Sequence, residues 1–210
     1  MTNTFNIQFV HDNFQLSLHE DDDILLKEYL ESYEELNRFC DLMGVIFSFV
    51  SKDLRSKMDI LYELLKHPDK TENFHSVKKM IDYEKQNELL EKKGYTSGSR
   101  TLLRLHRGLD FIQQFLKSVH GLKDSDNTAA VCRAAYDQTL SAHHTFMVRN
   151  GAKLAMHTMP TREQLLKKLC GDEEGIQNAL KLLPQMLDVT SAVFNRIDNL
   201  YTSYDLHMLP

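Results

Sequence analysis

Two charged pairs in this chain stand at helical spacing. Asp53 and Lys57 lie four residues apart inside an apolar stretch, and Arg100 and Arg104 lie four apart in SRTLLRLHRGL, with Arg107 three residues further on. Residues at these spacings share one face of a helix. An acid four positions before a lysine is a favourable surface pair worth about 0.2–0.5 kcal/mol, so Asp53–Lys57 reads by itself as a solvated helix pair. The arginines are harder to account for. Like charges at this spacing repel by a similar amount, and in the first turns of a helix they also meet the positive end of its dipole. A phosphate seated there would remove the repulsion and accept paired guanidinium hydrogen bonds. A solvated basic patch is the other reading, and spacing alone leaves both open. His143-His144 is a further polar pair, although a helical histidine is more often a satisfied core or surface residue than a ligand.

Catalytic signatures are missing from the sequence. There is no HExxH, no GxSxG, no phosphate-binding loop and no dinucleotide fingerprint, and no nucleophile stands with a base. Cys40, Cys132 and Cys170 are far apart with no CxxC spacing. They read as small buried hydrophobes of a reducing compartment rather than as a zinc or disulfide set. The expectation is a binding protein that needs no metal or cofactor, not an enzyme.

The elements that must position these residues are helical. Only 8 Gly and 4 Pro occur among 210 residues, as long helices require. Phe5, Phe9, Val10 and Phe14 suggest a short first helix. A near-3.6 repeat runs from Ile24 to about Leu42, with Asp21, Asp22 and Asp23 suited to its N-terminus. Val45 to Leu65 is apolar on more than one face and is expected to be central. His67-Pro68-Asp69-Lys70 reads as a turn, followed by a polar helix from about Glu72 to Lys93 and a loop at Gly94–Gly98. Further helices are expected over Ser99 to about Val119, from Thr128 past Phe146, from Pro160, and over about Pro184 to Tyr204. The fold class predicted is all-α, with about eight helices in a single domain over residues 1–210. A net charge of −5 gives no basis for nucleic-acid binding. The N-terminus lacks a signal peptide, and Leu42–Val50 is too short to span a bilayer, so a cytosolic protein is expected.

IFSFVSKDLRSK and SGSRTLLRLHRGLDFIQQFL resemble the glycolipid transfer protein family, specifically its ceramide-1-phosphate-binding branch. AYDQTLSAHHTFMVRNGAKLAMHTMPTRE and the ending LYTSYDLHMLP extend the similarity over nearly the whole chain, in order. The resemblance implies a two-layer helical sandwich whose layers part to admit lipid chains, with the headgroup at a surface site. It implies that Asp53 accepts hydrogen bonds from a sphingoid amide and hydroxyl, that His144 bonds the acyl carbonyl, and that Lys57, Arg100 and Arg104 hold a phosphate. Lys93 falls where the phosphate-selective branch has another basic residue, although the following loop is two residues shorter here. Sugar-binding members carry Asn at the position of Lys57 and a Trp platform at that of Arg104. This chain has no Trp at all. Phe146, after His144-Thr145, stands near a Trp that the family uses against membranes. The expected function is transfer of one ceramide-1-phosphate per monomer between membranes, through transient membrane contact. A sensor or adaptor of the same fold, without transfer, is the alternative.

Overall fold

The computed structural model describes residues 4–44, 47–66 and 71–210. Among them the chain forms ten α-helices: α1 (Ile7–Ser17), α2 (Leu26–Leu42), α3 (Ser48–Lys66), α4 (Thr71–Phe74), α5 (Val77–Gln86), α6 (Gly98–His120), α7 (Ala129–Gln138), α8 (Phe146–Met156), α9 (Arg162–Cys170) and α10 (Glu173–Ser203). No strand occurs among the described residues; isolated bridges such as Leu25–Ser76 tie loops together. The helices form a two-layer sandwich. In it α1 packs on α2 and α10, α3 and α7 pack on α6, and the contacts α2–α3 and α6–α10 join the two groups. The all-α expectation holds, and the helix count is ten rather than about eight.

Hydroxyl and carboxylate caps explain the difference, because they end helices where apolar periodicity continues. The polar helix expected over Glu72–Lys93 is split at Ser76, whose side chain accepts the Lys79 N–H, and it ends at Gln86. The long helix expected past Phe146 stops at Gln138. Thr139 Oγ donates back to Ala135 O at 2.8 Å, a 3-10 turn covers Ser141–His143, and Thr145 caps a new helix at Phe146. At the other end of the chain, the last helix begins at Glu173, not Pro184. Asp172 caps it through Gly175 N–H at 2.9 Å, and Pro184 sits inside it. Burial of Ile176, Leu183, Met186 and Val189 along one face offsets the hydrogen bond that the proline removes.

Two further expectations are corrected. Asp21, Asp22 and Asp23 do not cap α2, which starts after Leu25 with no side-chain cap. Asp21 and Asp22 lie in a 3-10 turn with positive φ, while Asp23 accepts the Lys78 N–H at 2.9 Å and so serves the start of α5. The segment Val45–Leu65 is not central. Val45, Ile46 and the turn expected at His67–Lys70 lie outside the described residues. The helix that follows buries Ser51, Leu54, Met58 and Leu61 on one face only. The central helix is α6, which packs on α3, α5, α7 and α10.

Its first turn is held by a buried carboxylate. Glu84 of α5 is fully buried; Oε1 accepts Gly98 N–H at 2.7 Å and the Tyr95 hydroxyl at 3.0 Å, and Oε2 accepts Ser99 N–H at 2.9 Å and the Ser97 hydroxyl at 2.6 Å. Ser97 Oγ then accepts the Arg100 N–H at 3.1 Å. The anion that an arginine-rich helix start calls for is therefore supplied from within the chain. Buried tyrosines fix the same helix from two other sides: Tyr33 donates to Leu105 O at 2.5 Å and Tyr201 to Ser99 O at 2.6 Å.

Replacing Glu84 by Gln would set an amide N–H2 against these donors and remove the charge. The expected cost is about 2–4 kcal/mol. At this chain length that lowers the thermal midpoint by about 5–15 °C, read from helical circular dichroism.

Candidate functional site

Helices α3 and α6 lie side by side, and the segment between α7 and α8 closes a third wall. The cleft they enclose has a volume of about 470 Å³ and is lined by Asp53, Lys57, Arg104, Arg107, His143 and His144, with Phe49, Val50, Leu54, Gly108, Leu140 and Val148. Lys57 Nζ donates to the Asp53 carboxylate, one helical turn back. The pair is not an ordinary solvated one: the Lys57 side chain is only 15% exposed, against 65% for Asp53. The lysine stem is packed into the wall, leaving the carboxylate more open to solvent.

The α6 wall is cationic, and the end of the chain braces it. Arg107 Nη2 donates to His207 O at 2.7 Å and Arg104 Nη2 to Pro210 O at 3.3 Å. Leu206 and Leu209, both buried, hold this tail against the body of the protein. Burial, and then the neighbouring Arg104 charge, hold the Arg107 guanidinium below the usual arginine value.

His144 stands across from these cations. It has extended backbone angles after the 3-10 turn, and its Nδ1 lies 2.8 Å from the Tyr136 hydroxyl. Burial lowers its pKa below the ordinary histidine value; the Asp53 carboxylate pulls it up and Lys57 pushes it down. Because α7 stops at Gln138, neither His143 nor His144 is α-helical, and both reach the cleft.

The other expected residues sit elsewhere. Arg100 lies a turn above the cleft wall, its guanidinium donating to Tyr95 O. Lys93 is exposed in the loop after α5 and does not line the cleft. The structure thus gathers Asp53, Lys57, Arg104 and His144 into one site and adds Arg107 and His143. Arg107 was visible as the third cation of the arginine face. His143 stood out only as half of a helical pair and Tyr136 not at all, because an unbroken helix hid the turn that aims them.

Behind the cleft runs an apolar fissure between Phe47, Phe49, Val50, Phe111, Tyr136, Leu140, Ala152, Ala155 and Met156. Phe49, Val50, Leu140 and His144 line both spaces, so the two lie back to back across those side chains. The fissure holds about 40 Å³, little more than one water molecule's share of space. Phe49, which lines the fissure, and Phe146, Met147, Val148 and Leu154 of α8 are exposed, Met147 by 83% and Phe146 by 70%. The arrangement is a polar, cation-lined opening backed by an apolar slot that is nearly closed.

The glycolipid transfer protein family matches residues 24–171. The human ceramide-1-phosphate transfer protein is 36% identical over 98% of this chain and 97% of its own length. The crystal structure of the mouse ceramide-1-phosphate transfer protein, in its apo-form, superposes with a TM-score of 0.91 at 31% identity, over 98% of this chain and 100% of that one. The human protein in complex with 12:0 ceramide-1-phosphate superposes with a TM-score of 0.88 at 34% identity, over the same shares.

The electrostatics around His144 give a signed expectation. Its NMR titration midpoint lies below that of an ordinary histidine. Asp53→Asn, which removes the group pulling it up, lowers the midpoint further, and Lys57→Met raises it. A midpoint unmoved by either change would mean that these side chains do not face the imidazole.

Proposed function

Because this chain belongs to the glycolipid transfer protein family, we propose that it carries ceramide-1-phosphate between membranes, as one lipid-transfer unit over residues 1–210 that takes one lipid per monomer. The observation that carries the reading is a cation-lined cleft set directly against an apolar fissure, with Phe49, Val50, Leu140 and His144 common to both walls, the negative image of an anionic lipid. It is a binding activity, and no bond is made or broken.

The physical task is large. Two alkyl chains with about thirty methylenes, at about 0.8 kcal/mol each, cost on the order of 20 kcal/mol to bring into water. An apolar interior removes most of that cost. The fissure is too narrow for such chains as it stands, so uptake requires the walls formed by Phe47, Phe111 and Met156 to part. Methionine, with three rotatable bonds, suits a wall that must adapt to chain length.

In this reading Lys57 and Arg104 hold the phosphate, Arg107 adds to the field, and Arg100 and Lys93 attract it from outside the cleft wall. A planar guanidinium pairs two donors with phosphate oxygens, where a sugar would need a flat aromatic face. Asp53 accepts from the sphingoid amide and hydroxyl. Tyr136 donates to His144 Nδ1, which leaves Nε2 carrying the hydrogen that the acyl carbonyl accepts. Phosphatidic acid has no amide, so it forgoes the hydrogen bond to the Asp53 carboxylate and loses about 1.5–3 kcal/mol.

The exposed Phe146, Met147 and Leu154 of α8 suit shallow insertion among lipid headgroups. Among the described residues no helix is long and apolar enough to cross a membrane. A cytosolic protein that touches membranes transiently fits both observations.

The test is transfer of fluorescent ceramide-1-phosphate between phosphatidylcholine vesicles, with a neutral glycosylceramide and phosphatidic acid in parallel. Ceramide-1-phosphate should move fast and the other two slowly. Arg104→Leu should cut binding by roughly 10- to 100-fold, the loss of one or two charge-assisted hydrogen bonds, with an unchanged melt. Equal rates for phosphatidic acid, or an early-melting variant, would overturn the assignments of Asp53 or Arg104 respectively.

A further inference from the structure

His143 has no role in the reading above, yet it lines the same cleft as Lys57, Arg104 and Arg107. It ends the 3-10 turn Ser141–His143, and its backbone N–H is spent on Leu140 O at 3.0 Å. The imidazole is therefore carried on a short, hydrogen-bonded turn rather than on a loose loop. It shares the cleft with Arg104 and Arg107 from α6 and Lys57 from α3, and Arg149 of α8 donates through Nη1 to Ser141 O, at the start of the same turn, at 3.4 Å. Among the described residues Asp53 is the one carboxylate lining the cleft, and Lys57 already engages it. His144 is the adjacent titratable group on the same segment.

We propose that His143 is a further phosphate contact that becomes cationic only when the lipid is bound, so that headgroup capture takes up a proton. The inference rests on the carrier reading, since it assumes a phosphate monoester in this cleft. Without an anion, a proton on His143, which is exposed but lines the cleft, would sit among like charges. Its pKa is accordingly held below the ordinary histidine value by burial first, then by Arg107 and His144. A phosphate dianion reverses the sign of the local field. Its oxygens accept a hydrogen bond from the imidazolium, and the charged form becomes the favoured one.

The folded, lipid-free protein has a lowered pKa and the complex a raised one. Affinity therefore increases as pH falls through the window between them, by at most about tenfold per pH unit for one proton. The phosphate's own second ionisation, near pH 6, works the other way at lower pH, because the cleft selects the dianion. The two effects together give affinity a maximum on the acid side of neutrality. A carrier so built would hold its lipid more firmly near an acidic membrane surface than in neutral cytosol.

The experiment is calorimetric titration of the full chain with 2:0 ceramide-1-phosphate at about pH 7, in two buffers of different ionisation enthalpy. The difference in heat counts protons exchanged. Wild-type protein should take up a fraction of one proton, and His143→Gln should abolish that uptake. The variant should bind several-fold more weakly than wild type at about pH 6.5 and equally well at about pH 8.5, where the imidazole is neutral in both states. His144→Gln should weaken binding at both pH values while keeping the proton uptake. A merely structural role for His143 would instead weaken binding equally at every pH. Tight binding with no proton uptake, or with uptake retained in His143→Gln, overturns the role given to His143 and leaves the carrier reading standing. Failure of the wild-type protein to bind at all overturns both.

Discussion

The buried carboxylate of Glu84 is the constraint on which the remaining architecture turns. A carboxylate removed from water is costly unless its oxygens are filled, and here four donors fill them, two from the backbone at the start of α6. The bond set fixes where α6 begins and how it is rotated. Everything that α6 carries inherits that phase. Arg100 is held near the capped turn, Arg104 and Arg107 fall on the cleft wall, and Leu102, Leu105 and Leu109 turn into the core. The tyrosine hydroxyls of α2 and α10 then pin the same helix to both neighbouring elements. A helix so over-determined can present three like charges along one face without unwinding.

The sequence carried the side chains that perform the chemistry more clearly than the turns that aim them. Asp53, Lys57 and Arg104 were legible because helical periodicity alone puts them on shared faces, and α3 and α6 are long and periodic. The role of Glu84 was not legible. Nothing local distinguishes it from the surface acids around it, and its partners lie eleven to fifteen residues away. His144 was named through family resemblance while its expected helical setting was wrong. A threonine that bonds back to Ala135 and another that caps at Phe146 each cost little free energy, but together they end one helix and start the next. Apolar patterning runs straight through such breaks. The same blindness placed the last helix too late, at a proline that the helix in fact absorbs.

Net charge and local charge point in opposite directions, and the difference has physical content. The chain carries −5 overall, while the cleft gathers a lysine and two arginines against one engaged carboxylate. An acidic exterior opposes indiscriminate adhesion to anionic membranes, and a recessed cationic pocket acts only at short range under physiological screening. Attraction is thereby confined to an anion already at the cleft, and the exposed aromatic and aliphatic side chains of α8 add no charge of their own. The apolar slot behind is kept nearly shut, so little hydrocarbon-lined space stands open to water between loads.

The tail that ends at Pro210 folds back so that its carbonyls touch Arg104 and Arg107. Any polypeptide joined after that residue therefore emerges at the lip of the cleft. A purification handle or fluorescent partner fused there would crowd the entrance and bias measurements of cargo exchange. A single small dye at the same place would sit close enough to register each arrival and departure. The geometry makes this terminus the worst place for a bulky label and the best place for a compact one.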